Sequence, residues 1–148
     1  PATLNELLED CLSGFKFLKG QKEIELKKKF GKENLHVKID KELFKDVFLY
    51  IIGNSIQAIP ANKKGLIEVK TYSESSFAYT EITDNGVGIP ETDIPNIFKP
   101  FFSTKGYGKG TGLGLAFTER VIKEHNGTVK VSSVPGEKTI FLIGIPLI

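Results

Sequence analysis

Five glycines alternate with other residues from Gly106 to Gly114, and the last three fall in Lys109-Gly110-Thr111-Gly112-Leu113-Gly114-Leu115, at the mouth of a helical pattern. Glycine lets the backbone approach an anion and adopt positive φ. The free N–H groups of the following helix point at the same place, with the favourable end of its dipole. The chemistry predicted is phosphate binding; a floppy glycine loop is the alternative. Two better-known phosphate loops are excluded by spacing. After Gly110 and Gly112 the third glycine position of a dinucleotide fingerprint holds Leu115, after Gly108 and Gly110 it holds Leu113, and the G-x-x-x-x-G-K-[ST] pattern is absent.

Three further segments carry candidate chemistry. Asp84-Asn85-Gly86-Val87-Gly88-Ile89 follows a predicted strand. Asp-Asn-Gly is turn chemistry, but a carboxylate beside two glycines can also accept an amine hydrogen bond while a flat ring sits close, as an adenine amino group would require. Asn54 lies among apolar helical neighbours in Tyr50-Ile51-Ile52-Gly53-Asn54-Ser55-Ile56-Gln57-Ala58. It is either a satisfied core amide or an oxygen ligand for Mg²⁺, whose other ligands are usually waters and phosphate oxygens. Phe98-Lys99-Pro100-Phe101-Phe102-Ser103-Thr104-Lys105 supplies three phenylalanines, as core anchors or as seats for a lid, with Lys105 and Lys109 as cations within reach of phosphates.

The elements that must position these residues follow from periodicity. Leu4, Leu7, Leu8, Cys11 and Leu12 predict a first helix over 3–17. Beyond Gly20, alternation of Ile24, Leu26 and Lys28, then of Leu35, Val37 and Ile39, predicts two strands. Lysines 27 to 29 read as a solvated strand face. Asp40 is an N-cap candidate for a second helix with an apolar stripe, stopped by Pro60. Strands are predicted over 66–72 and 77–83, joined as a hairpin. A connection without periodicity runs from Asp84 to about Thr111, a length that marks either a functional lid or a disordered segment. A third helix spans about 113–124, ended by Asn126-Gly127, and strands over 128–133 and 138–145 flank a Pro135-Gly136 turn. Interspersed strands and helices imply an α/β layer with helices covering one sheet face.

The chain has 148 residues, 40% of them hydrophobic and 26% charged, which fits one soluble domain. A net charge of +2 gives no electrostatic case for nucleic acid or a membrane surface. The single cysteine, Cys11, cannot form an internal disulfide and suits a reducing, cytoplasmic setting as a small buried hydrophobe. No apolar run approaches the roughly 20 residues that span a bilayer. The absence of methionine and the start at Pro1 predict an excised fragment.

Taken in chain order and with this spacing, the four segments resemble the N, G1, F and G2 boxes of the catalytic domains of sensor histidine kinases, members of the Bergerat (GHKL) ATPase superfamily. Gly136-Glu137-Lys138-Thr139-Ile140-Phe141 resembles the closing G3 element, and the run from FKPFFSTK through GTGLGL to HNGTV is similar to the nitrogen-regulation type. The resemblance covers roughly residues 35–146. It implies a two-layer α/β (α+β) sandwich: a mixed, mostly antiparallel sheet with about three helices on one face. One ATP-binding catalytic domain would occupy residues 1–148, with a helical lead-in over 1–20 and an ATP lid over 90–111.

At matching positions the resemblance implies that Asn54 ligates Mg²⁺ and that Gln57 stands where the family often has a basic phosphate contact. Asp84 binds the adenine amino group, with Gly86, Gly88 and Ile89 beside the ring. Lys105 and the backbone of Gly110, Thr111, Gly112, Leu113, Gly114 and Leu115 cradle the phosphates. Thr139 supports Asp84 or an adenine-site water, and Phe98 and Phe101 anchor the lid. Asn54 and Lys105 support catalysis without being certain catalytic groups. Tyr50 occupies the first Asn position of the N box. It is also the position where gyrase, mismatch-repair and chaperone ATPases place a water-activating Glu, and a phenol is a poor base compared with a carboxylate. Hydrolysis for mechanical work is thereby disfavoured.

The activity implied is protein histidine kinase: Mg-ATP donates its γ-phosphoryl group, leaving ADP, to a histidine on a separate dimerisation domain. His36 and His125 lack an acidic helical context and read as structural. A cognate response regulator would be the onward partner, with neither nucleic acid nor membrane contacted by this domain. Two other classes share the pocket. An anti-sigma-type serine kinase is opposed by the PFFSTK segment, and a nucleotide-sensing module without transfer is favoured by Tyr50 and Gln57.

Overall fold

A computed structural model of the chain describes residues 2–32, 35–100 and 114–148. Five strands form one sheet in the order β2-β4-β5-β7-β6: β2 (Ile24–Lys29), β4 (Gly65–Glu74), β5 (Phe77–Asp84), β7 (Lys138–Pro146) and β6 (Thr128–Val134). Only β2 pairs parallel, with β4; the other ladders are antiparallel. This is the mixed, mostly antiparallel sheet expected. Alternation decides its two faces. Ile67 and Val69 of β4, Ala78, Thr80, Ile82 and Asp84 of β5, and Thr139, Phe141, Ile143 and Ile145 of β7 all lie buried.

Three longer helices cover that face: α1 (Leu4–Leu12), α3 (Lys41–Ala58) and α4 (Gly114–Glu124). In α3, Phe44, Val47, Phe48, Ile51, Ile52, Ser55 and Ile56 recur at helical spacing and are all buried. The Asp40 carboxylate caps α3, accepting the Leu43 N–H at 3.1 Å. Buried Ile59 lies at the C-terminal end, before Pro60. These bounds match the sequence expectation closely.

Two expectations need correction. The helix predicted over 3–17 breaks after Leu12 and resumes as α2 (Phe15–Leu18). Ser13 Oγ donates to the Asp10 carbonyl at 2.7 Å, a local bond that competes with helix continuation, and Gly14 follows it. Leu4 and Leu8 are completely buried, so α1 belongs to the core. The strand predicted over 35–39 shrinks to β3 (His36–Val37) and leaves the main sheet, pairing antiparallel with β1 (Ala2–Thr3). Capping of α3 at Asp40 ends the extended stretch.

In the predicted lid, 90–100 is not structureless. A 3₁₀ turn at Ile94–Asn96 leads to Ile97, which is buried, and to Phe98, which packs half-buried on the core. The remainder of the predicted lid, including Phe101, Lys105 and Lys109, falls outside the described residues.

Candidate nucleotide site

The central strand β5 ends at Asp84, whose side chain is 2% exposed. A carboxylate in that position needs partners. Its Oδ1 accepts the Gly86 N–H at 2.9 Å. On one flank Asp84 is in register with Ile67 of β4, on the other with Thr139 of β7. Ser55 of α3 is 1% exposed, and its Oγ makes no hydrogen bond of ordinary geometry. It nevertheless lies close enough to the Asp84 carboxyl to favour the charged form. Burial dominates and pushes the carboxyl above its ordinary value of 3.8, against the Gly86 N–H, the Ser55 hydroxyl and the Lys63 ammonium.

The loop after Asp84 is pinned on two sides. Toward α3, the Val87 N–H donates to the Ala58 carbonyl at 2.9 Å, and a Cβ on Gly86 would come within 2.6 Å of that same oxygen. Toward the β6–β7 turn, the Gly136 N–H donates to the Val87 carbonyl at 2.6 Å. Gly88 has φ of +75°, and a Cβ there would meet the Val134 carbonyl oxygen at 2.6 Å. Both glycines are therefore demanded by close backbone approach within the chain, whatever ring they lie beside.

Ser133 on β6 joins this network. Its Oγ accepts the Ile89 N–H at 2.7 Å, donates to the Lys138 carbonyl at 2.8 Å, and lies 3.3 Å from Thr139 Oγ1. Asn85 faces the other way: its side chain accepts the Leu66 N–H and donates to the Lys64 carbonyl, so this half of the motif is a structural turn. Lys63 Nζ donates to the Asn85 carbonyl at 2.5 Å.

Asn54 is half-buried beside Ser55 on α3, and Gln57, one turn on, is exposed. Asn54 is thus no fully buried core amide. No group of three or more His, Cys, Asp or Glu among the described residues could hold a metal ion. Among the described residues on α3 the Asn54 amide could offer an oxygen, the kind of single ligand that Mg²⁺ carried in on phosphates would accept. Gly114 and Leu115 open the described part of α4, with Leu115 packed against the core. Gly110, Thr111, Gly112 and Leu113, like Lys105, lie outside the described residues.

Asp84, Gly86, Gly88, Ile89 and Thr139 are thus gathered around one strand end, with Asn54 on the helix above them. Sequence reasoning passed over Ser55, Ser133 and Lys63. A serine recurring on the apolar stripe of α3 was a usable signal for the first. Ser133 and Lys63 offered none, because their roles arise only when distant segments meet.

His125 is held by structure. Its Nδ1 lies 2.8 Å from the Val121 carbonyl, its Nε2 accepts the Asp40 N–H at 3.2 Å, and its ring meets Phe44 edge-on at 4.8 Å. His36 sits exposed in the small β1–β3 ladder. None of the described helices is long and apolar enough to cross a membrane.

Residues 39–148 match the family model described as histidine kinase-, DNA gyrase B-, and HSP90-like ATPase. The chain is 38% identical over 145 residues to the signal transduction histidine-protein kinase AtoS of Escherichia coli (strain K12), spanning 98% of this chain and 23% of that protein. It is 41% identical over 108 residues to sporulation kinase C of Bacillus subtilis (strain 168), spanning 73% of this chain and 24% of that one. The chain thus covers less than a quarter of either relative's length. Among solved structures, the catalytic domain of histidine kinase ThkA superposes with a TM-score of 0.86 at 27% identity, covering 99% of this chain and 93% of that one. The buried acid at the end of β5, the pinned loop that follows it and these likenesses agree: the chain belongs to the histidine kinase-, DNA gyrase B-, and HSP90-like ATPase family, as a catalytic domain of the histidine-kinase kind.

Proposed function

We infer that this chain binds Mg-ATP between the end of β5, the helix α3 and the start of α4, and donates the γ-phosphoryl group to a histidine on a separate dimerisation domain in two-component signalling. The observation that carries this reading is Asp84: a carboxylate 2% exposed, desolvated, and bonded on one oxygen by Gly86. A buried acid with capacity to accept further hydrogen bonds calls for a donor, and the exocyclic amine of adenine is one of the right size and polarity.

The remaining roles follow from position. Asn54 supplies an oxygen toward the triphosphate, where a bound Mg²⁺ would neutralise charge on the phosphate oxygens. Gln57 is exposed one turn further along. Thr139, through Ser133, ties the adenine end of the pocket to the G1 loop. Gly114 and Leu115, with the preceding glycine-rich segment and Lys105, supply backbone donors and a cation to the phosphates. Catalysis is then positional and electrostatic, with little covalent work for the protein.

Engagement of both ring nitrogens of His125 supports an acceptor on another domain. The onward partner would be a response regulator. Calorimetric titration with ADP and Mg²⁺ tests the pocket, and labelled ATP with a histidine-bearing dimerisation domain tests transfer. Saturable micromolar binding and label on the acceptor histidine are expected. Binding without label would leave a nucleotide sensor, label on serine would indicate the serine-kinase class, and no binding at millimolar ADP to the folded chain would end the reading.

A further inference from the structure

Tyr50 is the residue for which the nucleotide reading leaves no role. It precedes Asn54 by one helical turn on α3, so the two side chains share a side of the helix. Tyr50 is 49% exposed. The ring nevertheless has a defined place. It meets Phe117 of α4 edge-on, with centroids 5.7 Å apart and planes inclined by 67°. It also lies over Gly114 so closely that a Cβ there would stand 3.0 Å from Tyr50 Cδ1 and 3.4 Å from Cε1.

The partners on α4 are themselves fixed. The Thr118 hydroxyl, completely buried, donates to the Gly114 carbonyl at 2.9 Å and holds the first described turn of the helix. The Arg120 guanidinium lies 5.8 Å from the Phe117 ring centroid, on the same side of α4. An aromatic edge contact stabilises beyond area burial and biases where one helix end sits against another. Tyr50 therefore spans the gap between the helix carrying Asn54 and the glycine at the start of α4.

We propose that Tyr50 is a positioning residue: its ring, seated on Gly114 and Phe117, sets the first described turn of α4 relative to Asn54, so that the Gly114–Leu115 backbone and the metal-side amide form one preorganised unit. The ring does this, not the hydroxyl, and a side chain at Gly114 would have to shift the ring. The inference rests on the nucleotide reading above and adds a residue to it.

The test compares wild type, Tyr50→Phe, Tyr50→Ala, Gly114→Ala and the Tyr50→Ala/Gly114→Ala double variant in the same 148-residue chain. MgATP affinity is read by calorimetry, and affinity for adenosine, which has no phosphates, by NMR titration. Tyr50→Phe should stay within about twofold of wild type for MgATP, whereas Tyr50→Ala should lose about tenfold, consistent with one lost aromatic contact. Adenosine affinity should be unchanged in Tyr50→Phe and Tyr50→Ala. Gly114→Ala should weaken MgATP several-fold by displacing the ring, and the double variant should be no weaker than Tyr50→Ala alone, as shared contacts require.

Equal loss of adenosine and MgATP in Tyr50→Ala would reduce the residue to general packing and overturn the proposal. So would strict additivity in the double variant, or a Tyr50→Phe as weak as alanine. Tyr50→Leu replaces alanine if that variant does not fold. Wild type that binds MgATP, beside a Tyr50→Ala that matches it, overturns this inference alone. Wild type that binds no adenine nucleotide overturns the pocket assignment and this proposal with it.

Discussion

Asp84 and Thr139 face each other directly across the β5–β7 ladder, both buried and both at the end of the sheet where α3 terminates. This pairing places a hydroxyl beside a desolvated carboxylate without spending the carboxylate on it, because Thr139 Oγ1 is 3.3 Å from Ser133 instead. Asp84→Asn should therefore have two opposite effects. ADP affinity should fall by about tenfold or more, since a hydrogen bond to a charged group is worth ~1.5–3 kcal/mol. The free protein should melt higher, by about 3 °C if ~1 kcal/mol of buried-charge penalty is relieved in a chain of this size. Calorimetry and thermal melts in parallel measure both, and unchanged ADP affinity would remove Asp84 from the site.

The same group sets a pH dependence whose sign is fixed by its raised pKa. The folded state holds the Asp84 proton more tightly than the unfolded state. Its contribution to stability is fully present below the ordinary value of 3.8 and is lost as pH rises through the raised value. In that window, falling pH should narrow the difference in melting temperature between Asp84→Asn and wild type. Nucleotide affinity should fall over the same range as the carboxylate becomes an acid. A gap between the two proteins that stays constant across the range would show that Asp84 titrates normally.

Gly86 tests whether the G1 loop is shaped by its own chain. A Cβ there would stand 2.6 Å from the Ala58 carbonyl oxygen and 2.7 Å from its carbonyl carbon. Neither atom can yield without disturbing the end of α3 and the Val87 N–H bond to the same oxygen. Gly86→Ala should cost ~1–3 kcal/mol, the usual range for overpacking, read as a lower urea midpoint with unchanged slope. A neutral substitution would mean the loop relaxes freely away from the helix.

Much of this architecture was legible because it is local. The apolar stripe of α3, its Asp40 cap and the alternation in β5 and β7 each report a neighbour relation that sequence spacing encodes. The candidate acid was legible for a different reason: Asp84 follows a strand and stands beside two glycines, where a carboxylate can accept an amine while a flat ring sits close. What could not be read is what depends on distant segments meeting. Nothing near Ser133 announces that it will hold the Ile89 amide, 44 residues away. Nor does the alternation of 35–39 reveal that β3 pairs with the two residues of β1 and not with the main sheet. The break at Ser13 lay within a helical apolar pattern that continued past it, and a local side-chain bond decided it.

Ser133 is accordingly a sharp test of the loop's rigidity. Ser133→Ala leaves the Ile89 N–H without its acceptor at 2.7 Å and removes the link to Thr139. An unpaired, partly buried amide costs ~1–3 kcal/mol. Because that amide lies in the loop, ADP affinity should fall by about five- to tenfold, and exchange of the Ile89 amide proton should accelerate. Ser133→Thr, which retains the hydroxyl, should recover most of the binding. Slow exchange at Ile89 in the alanine variant would show that another group takes over the bond.

The hairpin between β4 and β5 offers a stability gain with no functional cost. Its two-residue turn is Ser75-Ser76, with φ of +50° and +69°. Both residues sit in the left-handed region, which costs a non-glycine residue roughly 1–2 kcal/mol. A two-residue turn with positive φ at both central positions is the type that matches strand twist and prefers Asn-Gly. The turn lies at the opposite end of β5 from Asp84. Replacing Ser75-Ser76 by Asn-Gly should raise stability by ~1 kcal/mol, about 3 °C in melting temperature for a chain of this size. Glycine's greater freedom in the unfolded chain offsets part of the gain, so the single Ser75→Asn variant should contribute a separable share. ADP affinity should not change in either variant. A lower melting temperature in the double variant would mean that the serines make compensating contacts, and that the hairpin is held by its stacked Tyr72 and Tyr79 rings, 5.3 Å apart, more than by its turn.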